Sequence, residues 1–210
     1  MRAQLKTMLE LQDSMNTKVN ENWREQNFAW YRAIWVECAE LMDHFGWKWW
    51  KKQVPDVEQV RLELIDIWHF GLSILLTKFS TQALMIDELE QGLKSTSGIQ
   101  AIADDEMFRE LLETFAEETI ASKSFSVSTF AKLLTAADMS VDQLYCGYVG
   151  KNVLNFFRQD HGYKDGSYKK LWSGREDNEH LVEAVAELDA NSATFADDLY
   201  QALLERYQNA

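Results

Sequence analysis

The chain has 210 residues, 46% hydrophobic and 26% charged, a balance that fits a soluble globular protein burying one good-sized core as a single domain over 1–210, with two small domains as the lesser alternative. Its formal net charge of -13 argues against general affinity for nucleic-acid backbones, which needs clustered Lys and Arg, and is compatible with binding divalent cations.

One proline and nine glycines leave long uninterrupted segments, nearly all repeating at a helical period. The N-terminal segment, MRAQLKTMLELQDSMN, interrupts its apolar residues with Gln, Lys, Glu and Asp. It therefore reads as a helix over 2–19, neither a signal peptide nor a membrane span, and no other stretch reaches spanning length. A cytoplasmic protein is expected. Helices follow at 27–45, 56–80, 82–91, 104–121, 126–137, 140–159, 177–189 and 192–208. Asp56 with Gln59, and Ser140 with Gln143, have the spacing of a capping box. Pro55 disfavours helix at Val54 and ends whatever precedes it. Lys94–Gly98 (KSTSG) reads as a loop, Ala121–Ser128 as a weak point, and Gly162–Gly166 as a glycine-rich turn. Cys38 and Cys146 both fall in apolar helical patterns, so two buried thiols are expected rather than a disulfide. The fold class is all-α, a helical bundle, because apolar helix stripes must be buried against one another.

Two helices carry acids where apolar residues belong. In AWYRAIWVECAELMDHF, Trp30, Ile34, Leu41 and Phe45 form one stripe, with Glu37 at its edge and Glu40 and His44 beside it. In RLELIDIWHFGLSILL, apolar on almost every side, Glu63 and Asp66 fall within the stripe of Ile67, Phe70 and Ile74, and His69 lies one turn further on. Each acidic pair is spaced i,i+3, so both members point the same way. A solvated face would explain Glu37 and Glu40 but suits Glu63 and Asp66 less well. Unpaired buried carboxylates are costly, and the helices offer little to neutralise them besides Arg32 and Arg61. Hard oxygen ligands favour magnesium or manganese, and magnesium commonly shares its shell with substrate phosphates. A di-iron carboxylate bundle would need Glu-x-x-His pairs on two helices, whereas Asp66-x-x-His69 is the one similar spacing here, with His161 and His180 in loop-like contexts.

Residues 151–175, KNVLNFFRQDHGYKDGSYKKLWSGR, hold six basic residues and two acids. Lys151, Asn155 and Arg158 share one helix face, and the following loop adds Tyr163, Lys164, Tyr168 and Lys169. Any one of these lysines is unremarkable on a solvated surface. Together with glycines that let backbone amides approach oxyanions, they form a candidate phosphate clamp. A carboxylate cluster and a phosphate clamp on one chain point to a nucleoside di- or triphosphate.

Four blocks, LQDSMN at 11–16, WVECAELMDHFGWKWWK at 35–51, RLELIDIWHF at 61–70 and KNVLNFFRQDHGYKDGSYKK…GREDN at 151–178, resemble the dimeric all-α dUTPases. The ExxE…ExxD pattern is shared with the wider all-α NTP pyrophosphatase superfamily, including MazG-type enzymes; residues 80–145 carry no matching motif. The resemblance implies a bundle of the all-α NTP pyrophosphatase type that hydrolyses dUTP, and dUDP, to dUMP. It implies two or three Mg²⁺ ions, with Mn²⁺ as an alternative, held by Glu37, Glu40, Glu63 and Asp66, and Glu37 as the base that deprotonates the attacking water. Gln12 and Asn16 match the uracil-reading pair. Trp49, and less closely Trp47, match a tryptophan near the base, with core packing the alternative for two of the Trp47–Trp50 tryptophans. His69 matches a deoxyribose contact, and Asn155 and Asn178 match pocket residues. Lys151, Arg158, Tyr163, Lys164, Tyr168 and Lys169 lie where the family binds phosphates. A homodimer is implied too, with no nucleic-acid or membrane partner. The rival readings are a MazG-like enzyme of other specificity, which would not need Gln12, Asn16 or the tryptophans, and a non-catalytic helical interaction protein.

Overall fold

Apolar residues at helical spacing become helices here nearly end for end. The computed structural model describes residues 1–94, 105–190, 192 and 194–209, and these divide into two compact units, Met1–Tyr145 and Cys146–Ala210. The first unit contains α1 (Arg2–Val19), a 3₁₀ turn (Trp23–Glu25), α2 (Trp30–Phe45), α3 (Val57–Lys78), α4 (Gln82–Leu93), α5 (Asp105–Ser122) and α6 (Val127–Ala136). α7 (Val141–Asp160) begins in the first unit and continues into the second. The second unit adds β1 (Leu171–Trp172), β2 (Arg175–Glu176), α8 (Asp177–Glu187) and α9 (Phe195–Gln208).

In the first unit α3 is the central element, because it is apolar almost all round and buries Val60, Leu64, Ile65, Ile67, Trp68, Leu72, Ile74, Leu75 and Leu76. α1 and α2 both pack against it, α2 further contacts α5, and α4, α5 and α6 close the far side. Aromatic rings fill that side: Trp68 stacks on Phe130 at 5.2 Å and meets Phe125 edge-on at 5.9 Å. Gly71 makes this approach possible, since a Cβ there would lie 2.8 Å from the Phe125 ring. In the second unit α8 packs on α9, and the hairpin pairs Leu171 with Glu176 and Trp172 with Arg175.

Local chemistry sets the helix starts. The Asp56 carboxylate accepts from the Gln59 amide at 3.2 Å, and Ser140 with Gln143 forms the full reciprocal box at 3.1 and 2.8 Å. The helix expected from residue 27 begins instead at Trp30, because Asn27 takes φ 51°, in the left-handed region, and the preceding residues form the 3₁₀ turn. The hairpin is a second departure from a purely helical reading. Two-residue strands show no alternation, but Ser173 and Gly174, with φ 49° and 82°, supply the left-handed pair that a tight hairpin turn requires. Gly162–Gly166 is a turn as expected, with Gly162 at φ +91°. Neither cysteine forms a disulfide; Cys38 is buried, whereas Cys146 is only half-buried. His180, read as loop-like, lies buried in α8. Of the expected loop Lys94–Gly98, all but Lys94 lies outside the described residues. No helix among them is long and apolar enough to cross a membrane.

Candidate active site

α2 and α3 run antiparallel: the Trp30 ring lies stacked near Phe70 at 6.2 Å, while His44 Nε2, near the other end of α2, lies 3.5 Å from Glu63 Oε1. This pairing places Glu37 opposite Glu63 and Asp66. One carboxylate oxygen from each falls within 4.8 Å of the others, in a setting where Glu63 is buried and the other two are half-buried. Burial, then the Asp66 charge, then a hydrogen bond and charge from Glu63 push the Glu37 carboxyl up to about 8. A carboxyl raised that far reflects a half-buried group facing two further acids. The donor set, three carboxylates and no sulfur, suits a hard divalent cation. Glu40, one turn along α2, is exposed and stands outside this trio, though its charge still acts on Glu37. The two arginines noted in the sequence are engaged elsewhere: Arg61 donates to the carbonyls of Ala137 and Asp138, and exposed Arg32 lies by the Tyr31 ring.

One turn beyond Asp66, α3 presents His69 and Ser73 to α1. The Gln12 side chain donates from Nε2 to Asn16 Oδ1 at 3.0 Å and to Ser73 Oγ at 3.1 Å. Asn16 Nδ2 donates to the same Ser73 Oγ at 3.0 Å, and Ser73 Oγ donates to the His69 carbonyl at 3.1 Å. His69 Nδ1 lies 2.8 Å from Gln12 Oε1, which can only accept, so Nδ1 carries the proton. All four side chains are buried. The sequence resemblance singled out three of them and missed Ser73. Its i+4 spacing from His69 was the available signal.

The tryptophans correct the core-packing alternative. Trp47, Trp49 and Trp50 are all exposed, Trp49 at 91%, and they contact one another edge-on at 5.3 and 5.5 Å. Gln53 Oε1 accepts from the backbone amides of Trp47 and Lys48 and so holds the turn that displays them. Trp47 and Trp49 line a cleft of about 430 Å³ with Phe45, Lys48, Lys51 and Arg109.

In the second unit the basic segment is organised around a residue that the sequence reading passed over. Asp177, fully buried at the start of α8, receives Arg158 Nε and Nη2 at 2.8 Å each and the Tyr168 hydroxyl at 2.8 Å. Burial alone would raise the Asp177 carboxyl, but the bonds from Arg158 and Tyr168 hold it below its ordinary value. Arg158 Nη1 also reaches Asn155 Oδ1 at 3.3 Å, and the guanidinium lies over the Tyr163 ring. Arg158 is thus a paired, fixed cation rather than a loose surface charge. Lys164 and Lys169 are exposed and Lys151 is half-buried. The buried Asn178 Oδ1 has no hydrogen-bond partner among the described residues.

An all-α bundle in which two antiparallel helices converge three carboxylates that could hold a metal ion, with a buried amide–imidazole network one turn away, defines the class of this protein. The chain belongs to the dUTPase family: the family model for dUTPase matches residues 4–163. It is a dUTP-hydrolysing enzyme. The matched span crosses from the first unit into the second and stops short of Lys164, Tyr168, Lys169 and Asn178. No curated protein matches the chain at a significant level.

Proposed function

We propose that the enzyme cleaves dUTP to dUMP and pyrophosphate, accepts dUDP as well, and depends on Mg²⁺ held by Glu37, Glu63 and Asp66, with Glu40 as a further ligand. The observation that carries this reading is the spacing along α3, where Asp66 of the carboxylate trio and His69 of the amide network stand one turn apart. A phosphate chain at the first and a base and sugar at the second would belong to one nucleotide. Bound at the trio, two or three Mg²⁺ ions would neutralise the phosphates and lower the pKa of the attacking water. Glu37 accepts that water's proton, a role suited to a carboxylate standing beside metal-bound water. Gln12 and Asn16 read the uracil edge and His69 the deoxyribose. Trp49, with Trp47, covers the base, and an exposed indole supports this better than a packed one would. By the family resemblance, Lys151, Arg158, Tyr163, Lys164, Tyr168 and Lys169 are phosphate-binding residues, and Asn155 and Asn178 are nucleotide contacts. The enzyme works as a cytoplasmic homodimer.

The test is hydrolysis of dUTP, dTTP, dCTP and UTP with Mg²⁺ or with EDTA, on the wild type and on Glu37→Gln. The expected result is dUTP preference, no turnover in EDTA, and a kcat lowered about 10²- to 10⁴-fold in the variant, the usual contribution of a general base. Full activity in EDTA would overturn the metal-dependent reading, and equal rates on all four nucleotides would overturn the uracil-reading assignment.

A further inference from the structure

The chain His69–Gln12–Asn16 can be satisfied in two opposite senses. In the sense observed, His69 Nδ1–H donates to Gln12 Oε1 and Gln12 Nε2 donates to Asn16 Oδ1. If the imidazole moved its proton to Nε2 and both amides turned over, Gln12 would donate to Nδ1 and Asn16 would donate to Gln12. The same contacts would then be made with every donor and acceptor exchanged. Ser73 breaks this symmetry. Its hydroxyl proton is committed to the His69 carbonyl at 3.1 Å, and its oxygen accepts from Gln12 Nε2 at 3.1 Å and from Asn16 Nδ2 at 3.0 Å. Reversal would press two amide oxygens against a hydroxyl that has a single proton, so that at least one of them faces the Ser73 oxygen unpaired and the bond to the His69 carbonyl is lost if the other is served. Ser73 is fully buried, so water cannot relieve that conflict.

We propose that Ser73 is the positioning residue that sets the polarity of the base-reading amides and thereby the preference for uracil over cytosine. The inference rests on Gln12 and Asn16 reading the base. With Ser73 in place, Asn16 keeps one N–H and one oxygen lone pair not committed to Gln12 or Ser73. Uracil and cytosine differ by an exchange of the same kind: uracil offers an N3 donor and an O4 acceptor, cytosine an N3 acceptor and an N4 donor. A network held in one sense discriminates between them, and one free to reverse does not. Ser73 touches the reading amides and not the reacting phosphate, so its effect belongs in selectivity and KM rather than in kcat.

The experiment compares kcat and KM for dUTP and dCTP in the wild type, Ser73→Ala, Ser73→Thr and Asn16→Ala, with the His69 tautomer followed by ¹⁵N NMR. Ser73→Ala is expected to lower the dUTP-to-dCTP ratio of kcat/KM by about tenfold, the effect of one buried hydrogen bond left unmade. The change should fall mainly in KM and be accompanied by a mixture of His69 tautomers. Ser73→Thr, which keeps the hydroxyl, is expected to retain most of the ratio. If Asn16→Ala lowers the ratio and Ser73→Ala leaves both ratio and tautomer unchanged, the role of Ser73 is refuted while base reading stands. If Asn16→Ala also leaves the ratio unchanged, base reading itself fails. Should Ser73→Ala not fold, Ser73→Cys, with its weakly accepting sulfur, must show a reduced ratio; a wild-type ratio there overturns the proposal.

Discussion

Glu37 sits half-buried on α2 facing two further acids, and burial, Asp66 and Glu63 together raise its carboxyl to about 8. The unfolded chain releases that proton near the ordinary value of 4.5, whereas the folded, metal-free protein keeps it to about 8. Between those values the native state binds more protons than the unfolded one, so the stability of the metal-free protein falls as pH rises through that window. Urea unfolding in EDTA at about pH 6 and about pH 8.5 should show the lower midpoint at the higher pH. A divalent cation competes with the same proton, so Mg²⁺ affinity measured calorimetrically should strengthen across the same interval. A midpoint that does not change with pH in EDTA would mean that Glu37 is ionised throughout. Cys38, next in sequence, is a contrast: burial and then the Glu37 charge push its thiol up to about 12, which leaves it inert as a nucleophile.

At the level of elements, the start of α8 carries more than a helix cap. Glu176 and Glu179 form the capping box, and Asp177 beside them ties α8 to Arg158 near the end of α7 and to Tyr168 of the intervening loop. Arg158 is only 12% exposed, so removing its partner leaves a largely buried cation with Asn155 Oδ1 and the Tyr163 ring but no carboxylate. Asp177→Ala should therefore cost about 3–5 kcal/mol, the range for one partner lost from a buried pair. Chemical denaturation checks this, and a loss within about 0.5 kcal/mol, as at ordinary surface sites, would show that the pair does not hold the segment. Because the Asp177 carboxyl lies below its ordinary value, its contribution is present above the unfolded pKa and fades as pH falls through the folded one. Helix positions were legible at this scale because periodicity and caps are local. The short hairpin and the shifted start of α2 were not, since two-residue strands carry no alternation and the Asn27 kink is a backbone choice.

For the whole molecule, a formal net charge of -13 makes cation binding the natural stabiliser. An ion that binds the native state alone adds about 2.7 kcal/mol at a hundred times its Kd. Thermal scans should thus show Tm rising with Mg²⁺ in the wild type and scarcely at all in Glu63→Ala. An equal rise in both would place the ion elsewhere. Light scattering at micromolar concentration should give twice the 24.4 kDa chain mass if the enzyme is a homodimer.

The sequence by itself determined which segments are helices and which acids stand on apolar stripes, because both depend on spacing along one chain. It also held the four blocks that marked the family. Only the tertiary structure decided which of those acids meet, since the antiparallel register of α2 on α3 brings Glu37 to Glu63 and Asp66 and leaves Glu40 exposed. It turned Trp49 outward, where its apolar character alone argued for the core. Ser73 and Asp177 emerged only there too: each acts through partners on another element, Ser73 through Gln12 and Asn16 and Asp177 through Arg158, and spacing along one helix, which sets Ser73 one turn from His69, does not reveal such a contact.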